Sequence, residues 1–369
     1  MLEPFILFCA GEDSGDALGE DFVQSVIQRG GLAVGTGGTR MQRAGLVSVA
    51  DFDELPVSGF LDVMPRLFRL RQIYRMLKKL LCSEQCQAFV AIDYPGFNMK
   101  LCALAKKLGK PVLYVAPPQI WAWKSSRAKK LCGVNLAVLF DFEKTAYAKK
   151  GVDAELLLHP FLLHENLYHT LPYLESRGTS SETLLLFPGS RLSQAKRNMG
   201  LFLSVAEHFK TAKLIVSREV LVQPLEEYIQ KMGNGAPKNI SIQVAPEDSE
   251  ERRMLYGSGS AALATPGTVT LELALSGTPL VVATKPDMLT YVLGSLFVKT
   301  KFFAMPNLLM ETNVVPEYIG TRSSKLLPQI LRAMESLDPV KSRQLSVDLA
   351  ERLGKGCVSD HFVEKLING

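Results

Sequence analysis

A chain of 369 residues exceeds what one hydrophobic core usually serves, so two domains are expected. Hydrophobic residues at 47% and charged residues at 21% describe a well-cored globular protein and exclude a disordered chain. The net charge of +5 suits an anionic ligand or membrane surface, while no basic helix or aromatic-basic motif points to nucleic acid. No stretch of about 18 uncharged apolar residues is present, so no transmembrane helix is expected. The N-terminus lacks the charged region and cleavage site of a secretory signal. Cys9, Cys82, Cys86, Cys102, Cys132 and Cys357 lack zinc-type spacing and read as reduced core thiols of a cytosolic protein.

Phe5 to Ala10 reads as a buried parallel strand and Ala17 to Gln28 as the following helix. Between them stands Ala10-Gly11-Glu12-Asp13-Ser14-Gly15-Asp16. A Gly-rich turn at this place ordinarily approaches a phosphate through its backbone N–H groups. Here the carboxylates of Glu12, Asp13 and Asp16 would repel a diphosphate, so the loop is expected to line a cleft without holding phosphate. Leu61 to Arg71 follows, with Met64, Leu67, Phe68 and Arg69, and runs on to Lys78 and Lys79. Large apolar groups flanked by cations suit the surface of an anionic membrane; an amphipathic helix over the core has the same period.

Ala88–Ile92 reads as a strand and Asn98–Leu108 as a helix. Asp93 ends that strand in a turn with Pro95 and Gly96, a position suited to a general base or to a turn cap. Asn98 reads as the helix cap. After the strand Pro111–Val115, one loop carries both tryptophans, Trp121 and Trp123, as an aromatic wall for a sugar or acyl chain, or as core. Leu136–Phe140 is a strand. His159, His164 and His169 recur every five residues, which does not place them on one helical face; no metal site is expected. His159 is close enough to the linker to touch the cleft. The polar stretch 169–182 is the linker candidate.

The alternation then restarts: Thr183–Phe187, the helix Asn198–Phe209, then strands Ala212–Ser217, Ile240–Val244, Ala261–Ala264 and Pro279–Ala283. Two successive βα arrays imply two doubly wound α/β domains facing a cleft. The boundaries expected are 1–170 and 171–341, with helices in 342–369 packing back on the first domain. Pro188-Gly189-Ser190-Arg191 follows the first strand of the second array and suits a diphosphate, with Gly189 for close backbone approach, Ser190 as donor and Arg191 for a bidentate phosphate contact, or is an ordinary βα turn. Gly267 and Thr268 open a helix whose N-terminus favours an anion, and Glu272 lies one turn further in, suited to ribose hydroxyls or to the helix dipole. Met305-Pro306-Asn307-Leu308-Leu309 is an apolar loop whose Asn307 is either a phosphate or sugar donor or a turn former.

Taken in order, these pieces resemble one family. Ala10–Asp16, Gly37-Gly38-Thr39-Arg40-Met41, Ile92–Pro95, Ile120–Trp123, Pro188–Arg191, Gly267-Thr268 with Leu271-Glu272, and Pro306–Leu309 are similar to lipid-A-disaccharide synthases, inverting glycosyltransferases of GT-B fold. The resemblance implies transfer of 2,3-diacylglucosamine from UDP to the 6-hydroxyl of 2,3-diacylglucosamine 1-phosphate. The products are a β-1,6-linked disaccharide 1-phosphate and UDP. It implies no cofactor or metal, peripheral association with the cytoplasmic face of the inner membrane of a Gram-negative bacterium, and a homodimer. It assigns Asp93 as base, Glu12 and Ser14 as cleft residues needed for activity, Arg191 and Asn307 to the diphosphate, and Glu272 to the ribose. Gly189, Ser190, Gly267 and Thr268 complete the UDP site; Met64, Leu67, Phe68, Arg69, Trp121 and Trp123 would meet the acceptor or membrane. The chain departs from the family pattern at Gly96, Leu158, Gln194, Lys196, Arg197 and Pro266. Rival readings are a lipid II-type N-acetylglucosaminyltransferase, a UDP-sugar 2-epimerase, or a non-catalytic lipid- or nucleotide-binding relative.

Overall fold

A computed structural model describes residues 3–55, 59–121, 125–162, 182–232, 237–286 and 301–368. Most of the linker stretch 169–182, with Trp123, His164 and His169, lies outside the described residues. The chain divides into two compact units, Met1–Pro160 with Leu353–Gly369, and Phe161–Arg352.

The first unit is built on β1 (Phe5–Cys9), β2 (Leu32–Thr36), β3 (Val47–Ser48), β4 (Cys86–Ile92), β5 (Val112–Val115), β6 (Asn135–Val138) and β7 (Glu155–Leu156). They form a seven-stranded sheet in the order β3-β2-β1-β4-β5-β6-β7, and every pair is parallel. Parallel strands are covered on both faces, which is why β1 and β4 read as nearly unbroken apolar runs. Leu7, Phe89 and Tyr114 face one core, and Phe8, Val90 and Leu113 the other, by the two-residue alternation of a strand. The helices are α1 (Asp13–Gln28), α2 (Thr39–Arg43), α3 (Gly59–Leu81), α4 (Pro95–Lys107) and α5 (Asp141–Ala148).

In the second unit β8 (Thr183–Phe187), β9 (Thr211–Val216), β10 (Ile240–Val244), β11 (Ala261–Ala264), β12 (Leu280–Thr284) and β13 (Glu317–Ile319) form a six-stranded sheet. Its order is β10-β9-β8-β11-β12-β13, again all parallel. The helices are α6 (Leu192–Ala206), α7 (Val222–Lys231), α8 (Ser249–Gly257), α9 (Thr268–Leu275), α10 (Met305–Met310), α11 (Ser323–Glu335) and α12 (Pro339–Leu353). The last helix, α13 (Ser359–Asn368), belongs to the first unit. There Phe362 packs on Phe22 of α1 with ring centroids 6.3 Å apart, and Asp360 accepts from Ser25 of that helix and from Arg29 at its C-cap.

Each sheet reverses its winding once, between β1 and β4 in the first and between β8 and β11 in the second. The loops leaving the carboxyl ends of those strands diverge to opposite faces and open a crevice, the usual ligand position in an open α/β sheet.

The sequence reading differs in detail. Helix α1 begins at Asp13, not Ala17, because Asp13 and Asp16 complement the positive end of the helix in its first turn. The strands β2, β3, β7 and β13 were not anticipated: two have only two residues, β2 contains Gly35, and β13 is half-buried. The cysteines are free, but only Cys9, Cys86 and Cys102 are core thiols; Cys82 and Cys132 are exposed and Cys357 is half-buried. Burial pushes the Cys9 thiol up to about 12.

Candidate active site at the two switch points

The first switch point joins the loop after β1 to the turn after β4. Gly11 is the contact: a Cβ there would sit 2.6 Å from the ring of Tyr94, so only glycine admits this approach. Glu12 is the N-cap residue of α1 with extended backbone, and Ser14 is in the first turn; both are half-buried. Asp16 is buried and turned away. Its carboxylate accepts the N–H groups of Arg40 and Met41 at 3.1 Å each, tying the loop to the Gly37–Met41 segment. Burial raises its pKa against the opposing pull of those N–H groups. Asp13 and Asp16 stand in the first turn, where carboxylates complement the positive end of the helix.

Asp93 and Tyr94 both have left-handed backbone, with φ of 45° and 46°. Side chains rarely adopt this conformation, and it persists only where surrounding groups enforce it. The enforcing groups are visible. The Asp93 N–H donates to the Val115 carbonyl at 2.9 Å. Its carbonyl accepts the Asn98 side-chain amide and the Tyr114 hydroxyl, each at 2.9 Å. The Tyr94 hydroxyl donates to the Leu55 carbonyl at 2.9 Å. Asn98 is not the helix cap that its sequence position suggests. Tyr94 is the N-cap, with proline in the first turn, and Asn98 is buried, donating to the carbonyls of Cys9, Ile92 and Asp93.

The neighbouring strands add to the same edge. Trp121, half-buried after β5, donates its indole N–H to the Glu143 carboxylate at 3.3 Å. Glu143 in α5 also accepts the Leu139 N–H at 3.2 Å. Burial pushes Glu143 up to about 7, with hydrogen bonds opposing the shift and the charge of Asp93 adding to it. His159 is buried and stacks on Phe140, and burial lowers its pKa to about 4, so it is neutral.

On α3, Leu70, Ile73, Leu77 and Leu81 form the buried stripe. The amphipathic reading therefore holds for that face, while Phe68 stands out at 72% exposure. Arg69 is also exposed and pairs with Glu54 at 2.8 Å. The side chains of Met64 and Leu67 lie outside the described residues.

The second switch point joins the loops after β8 and β11. Thr265 links them, its N–H donating to the Phe187 carbonyl at 3.0 Å. Gly189 has φ of 122°, a conformation that favours glycine, and a Cβ there would meet Gln194 at 2.5 Å. Ser190 is exposed, and Arg191 is the half-buried N-cap residue of α6. Buried Asn198 fastens this loop. Its amide donates to the carbonyls of Pro188 and Gln194, and its oxygen accepts the Lys285 N–H at 2.7 Å. Gly267 is the N-cap of α9, and Thr268 opens the helix; both are exposed. Glu272 lies one turn along, its carboxylate 3.7 Å from the Arg252 guanidinium of α8.

Asn307 does not fit the donor role expected of its side chain. It is fully buried on the short helix α10, not in a loop. Its amide donates to Asn313 and the Val315 carbonyl, and its oxygen accepts the N–H groups of Val314 and Val315 at 2.9 and 2.8 Å. Both hydrogens and both lone pairs are committed, leaving no donor for a phosphate in this conformation. Of the departures from the family pattern, Gly96 is exposed with open space around it, and Lys196 lies over the Tyr228 ring at 5.6 Å.

Sequence reasoning missed Asn198, Tyr114 and Glu143, and misread Asn98. A signal for the asparagines exists. Asn98 shares a stripe with Leu101, Cys102 and Ala105, and Asn198 with Ala195, Met199 and Phe202. An amide on an apolar stripe must find buried partners.

Among the described residues one group has metal-type donors, Glu155, Cys357 and His361, away from these loops; there Glu155 is already paired with His361 at 2.9 Å and with Lys365.

Two doubly wound parallel sheets, each with a glycine-bearing loop at its switch point, define a class. Solved structures share it over nearly full length. Acinetobacter baumannii MurG matches with a TM-score of 0.54 at 15% identity, covering 99% of each chain. A Staphylococcus aureus MnaA–UDP structure matches with a TM-score of 0.59 at 12% identity, covering 100% of this chain and 98% of the other. The fold is GT-B. The family model for lipid-A-disaccharide synthetase matches residues 6–355. Relatives called lipid-A-disaccharide synthase include one from Anaeromyxobacter sp. strain K, 33% identical over 85% of this chain and 83% of its own. Others come from Coxiella burnetii, 32% identical over 86% and 85%, and Geobacter metallireducens, 30% identical over 96% and 94%. The chain belongs to the lipid-A-disaccharide synthase family, and is a hexosyltransferase of lipid A disaccharide synthesis. The epimerase and lipid II-type alternatives are not favoured.

Proposed function

We propose that the second unit binds the UDP of UDP-2,3-diacylglucosamine and that the first unit binds and deprotonates 2,3-diacylglucosamine 1-phosphate. Asp93 takes the proton of the acceptor 6-hydroxyl as its oxygen attacks the anomeric carbon. The bond from that carbon to the diphosphate oxygen breaks, and UDP leaves with the electron pair, with inversion. Arg191 and the N-terminus of α9 stabilise the charge developing on the diphosphate. Glu272 accepts from the ribose hydroxyls, and Gly189, Ser190, Gly267 and Thr268 let backbone and hydroxyl donors approach. Glu12 and Ser14 meet acceptor hydroxyls. Asn307 acts indirectly, by shaping the turn that follows α10.

The observation that carries the reading is the shared location of the motif residues: Glu12, Ser14 and Asp93 at one switch point, Gly189–Arg191 and Gly267–Thr268 at the other. The outward face of α3 supports peripheral attachment to an anionic membrane on its cytoplasmic side. Phe68, Arg69, Arg71, Arg75, Lys78 and Lys79 are exposed there. Among the described residues no helix is long and apolar enough to cross a membrane. Assembly as a homodimer belongs to the same reading.

The test is release of UDP from UDP-2,3-diacylglucosamine with and without the acylated 1-phosphate acceptor. Acceptor-dependent release is expected. Arg191→Ala should weaken UDP affinity by roughly tenfold or more, the loss of a charge-assisted contact. Binding without release would favour a non-catalytic relative.

A further inference from the structure

Glu143 is a buried ionisable group that the proposed reaction does not use. It sits in the first turn of α5, only 6% exposed. One local job is evident: it accepts backbone N–H groups at the start of the helix, from Phe140 at the N-cap, as an acidic residue at the third helical position commonly does, and from Leu139 just before it. That job needs one carboxylate oxygen and no charge, and glutamine performs it as well. The other oxygen does something different. It accepts the indole N–H of Trp121, which arrives from the loop after β5.

The indole is held on two sides. Phe142, beside Glu143, meets the Trp121 ring edge-on at 5.1 Å and 87°. Phe140 stacks on Phe142 at 5.5 Å, and on the buried His159 at 6.2 Å. The only polar side-chain atom of Trp121 is thus committed to Glu143, and the rest of this half-buried side chain is apolar ring. β5, which launches Trp121, lies next to β4, which launches Asp93, and β6, which leads into α5 and Glu143, lies next to β5. Glu143 lies close enough to Asp93 for their charges to interact.

We infer that Glu143 is a positioning residue that holds Trp121 as a fixed apolar wall beside Asp93, against which the acylated acceptor sugar seats. The wall's place on the acceptor side rests on the function proposed above; the hold of Glu143 on Trp121 does not. A flat indole fixed at its N–H suits the apolar face of a pyranose or the start of an acyl chain. Fixing it before binding lowers the ordering cost of acceptor capture.

The experiment uses Glu143→Gln, Trp121→Phe and their combination in the full chain, with Trp123→Phe as the background that leaves Trp121 as sole tryptophan. In Glu143→Gln the helix contact persists, while the amide NH2 opposes the indole N–H. The emission of Trp121 is then expected to shift, with thermal stability near that of the background. In the transferase assay Glu143→Gln should raise the acceptor KM by about fivefold and leave the donor KM within about twofold. Trp121→Phe should do the same, and the double variant should be no worse than Trp121→Phe alone, because both remove one contact. Unchanged Trp121 emission in Glu143→Gln overturns the inference, as do additive effects in the double variant. A purely structural Glu143 would lower stability without splitting the two KM values. If the parent chain shows no acceptor-dependent release, the function proposed above fails, and the emission of Trp121 still decides whether Glu143 holds it.

Discussion

The turn at Asp93 invites the most demanding test, because its backbone and its side chain can be perturbed separately. Asp93→Asn keeps the size, and asparagine tolerates left-handed backbone, so the turn is preserved. Stability should stay within about 0.5 kcal/mol, while loss of the base lowers kcat by about 10²–10⁴-fold. Tyr114→Phe does the opposite: it leaves the carboxylate and removes one of the two donors that hold the Asp93 carbonyl. The Asn98 amide still serves that carbonyl, so the cost is that of one hydrogen bond, about 1 kcal/mol. Non-glycine residues in left-handed backbone cost about 1–2 kcal/mol each, and two stand here in succession. Losing one donor therefore removes a large part of the restraint. The expected result is a kcat about tenfold lower with both KM values nearly unchanged, since the defect lies in aiming the base and not in binding. The assay is steady-state UDP release at saturating donor, paired with urea unfolding. Full turnover in Asp93→Asn would remove Asp93 as the base. A Tyr114→Phe variant that loses stability but keeps its kcat would refute the link between the strained turn and catalysis.

Glu143 and His159 act on stability with opposite signs. Burial raises Glu143 from 4.5 to about 7, so its penalty is absent below pH 4.5 and grows as pH rises to about 7. Burial lowers His159 from 6.5 to about 4, so its penalty is absent above pH 6.5 and grows as pH falls toward 4. Between pH 4.5 and 6.5 the two slopes, each up to about 1.4 kcal/mol per pH unit, largely cancel. Glu143→Gln should unmask the His159 slope, seen in urea unfolding curves followed by tryptophan emission; pH–stability curves parallel to those of the parent would contradict it. Asn198→Ala strands the half-buried Lys285 N–H and frees the Pro188 carbonyl, and should destabilise the second unit by about 1–2 kcal/mol while weakening UDP binding. Isothermal titration with UDP alongside unfolding would check both, and unaltered UDP affinity would separate the loop's anchorage from its ligand.

The two winding reversals were legible in outline because apolar parallel strands announce themselves. Val90 and Phe187 belong to runs that no surface helix would carry. The motif residues were legible because glycine, proline and charge cluster where such strands end, as at Asp93 and Arg191. What escaped was the set of groups that hold those loops. Tyr114 lies inside an apolar strand and reads as core, yet its hydroxyl reaches a carbonyl 21 positions earlier in the chain. Glu143 reads as a surface acid in a helical first turn, and only the fold brings Trp121 onto it. Asn307 failed in the other direction, since its partners at 313–315 make it a structural knot, and polarity alone does not distinguish a donor offered to a ligand from one already spent.

The acidic loop after β1 joins these two lessons. Its carboxylates seemed equivalent in sequence, and they part on folding. Asp16 turns inward to fasten Arg40 and Met41, while Glu12, at the helix boundary, keeps a half-buried position on the strand-end side. Gly11 is what brings the loop there, because the Tyr94 ring occupies the space where its side chain would stand. Gly11→Ala should therefore damage the Asp93 turn as much as the loop, through a Cβ 2.6 Å from the ring of the adjacent residue. If Gly11→Ala lowers kcat with little change in either KM, as Tyr114→Phe is expected to do, loop and turn act as one unit. If instead it raises only the acceptor KM, the loop serves binding alone, and the aim of Asp93 depends on Asn98 and Tyr114 without it.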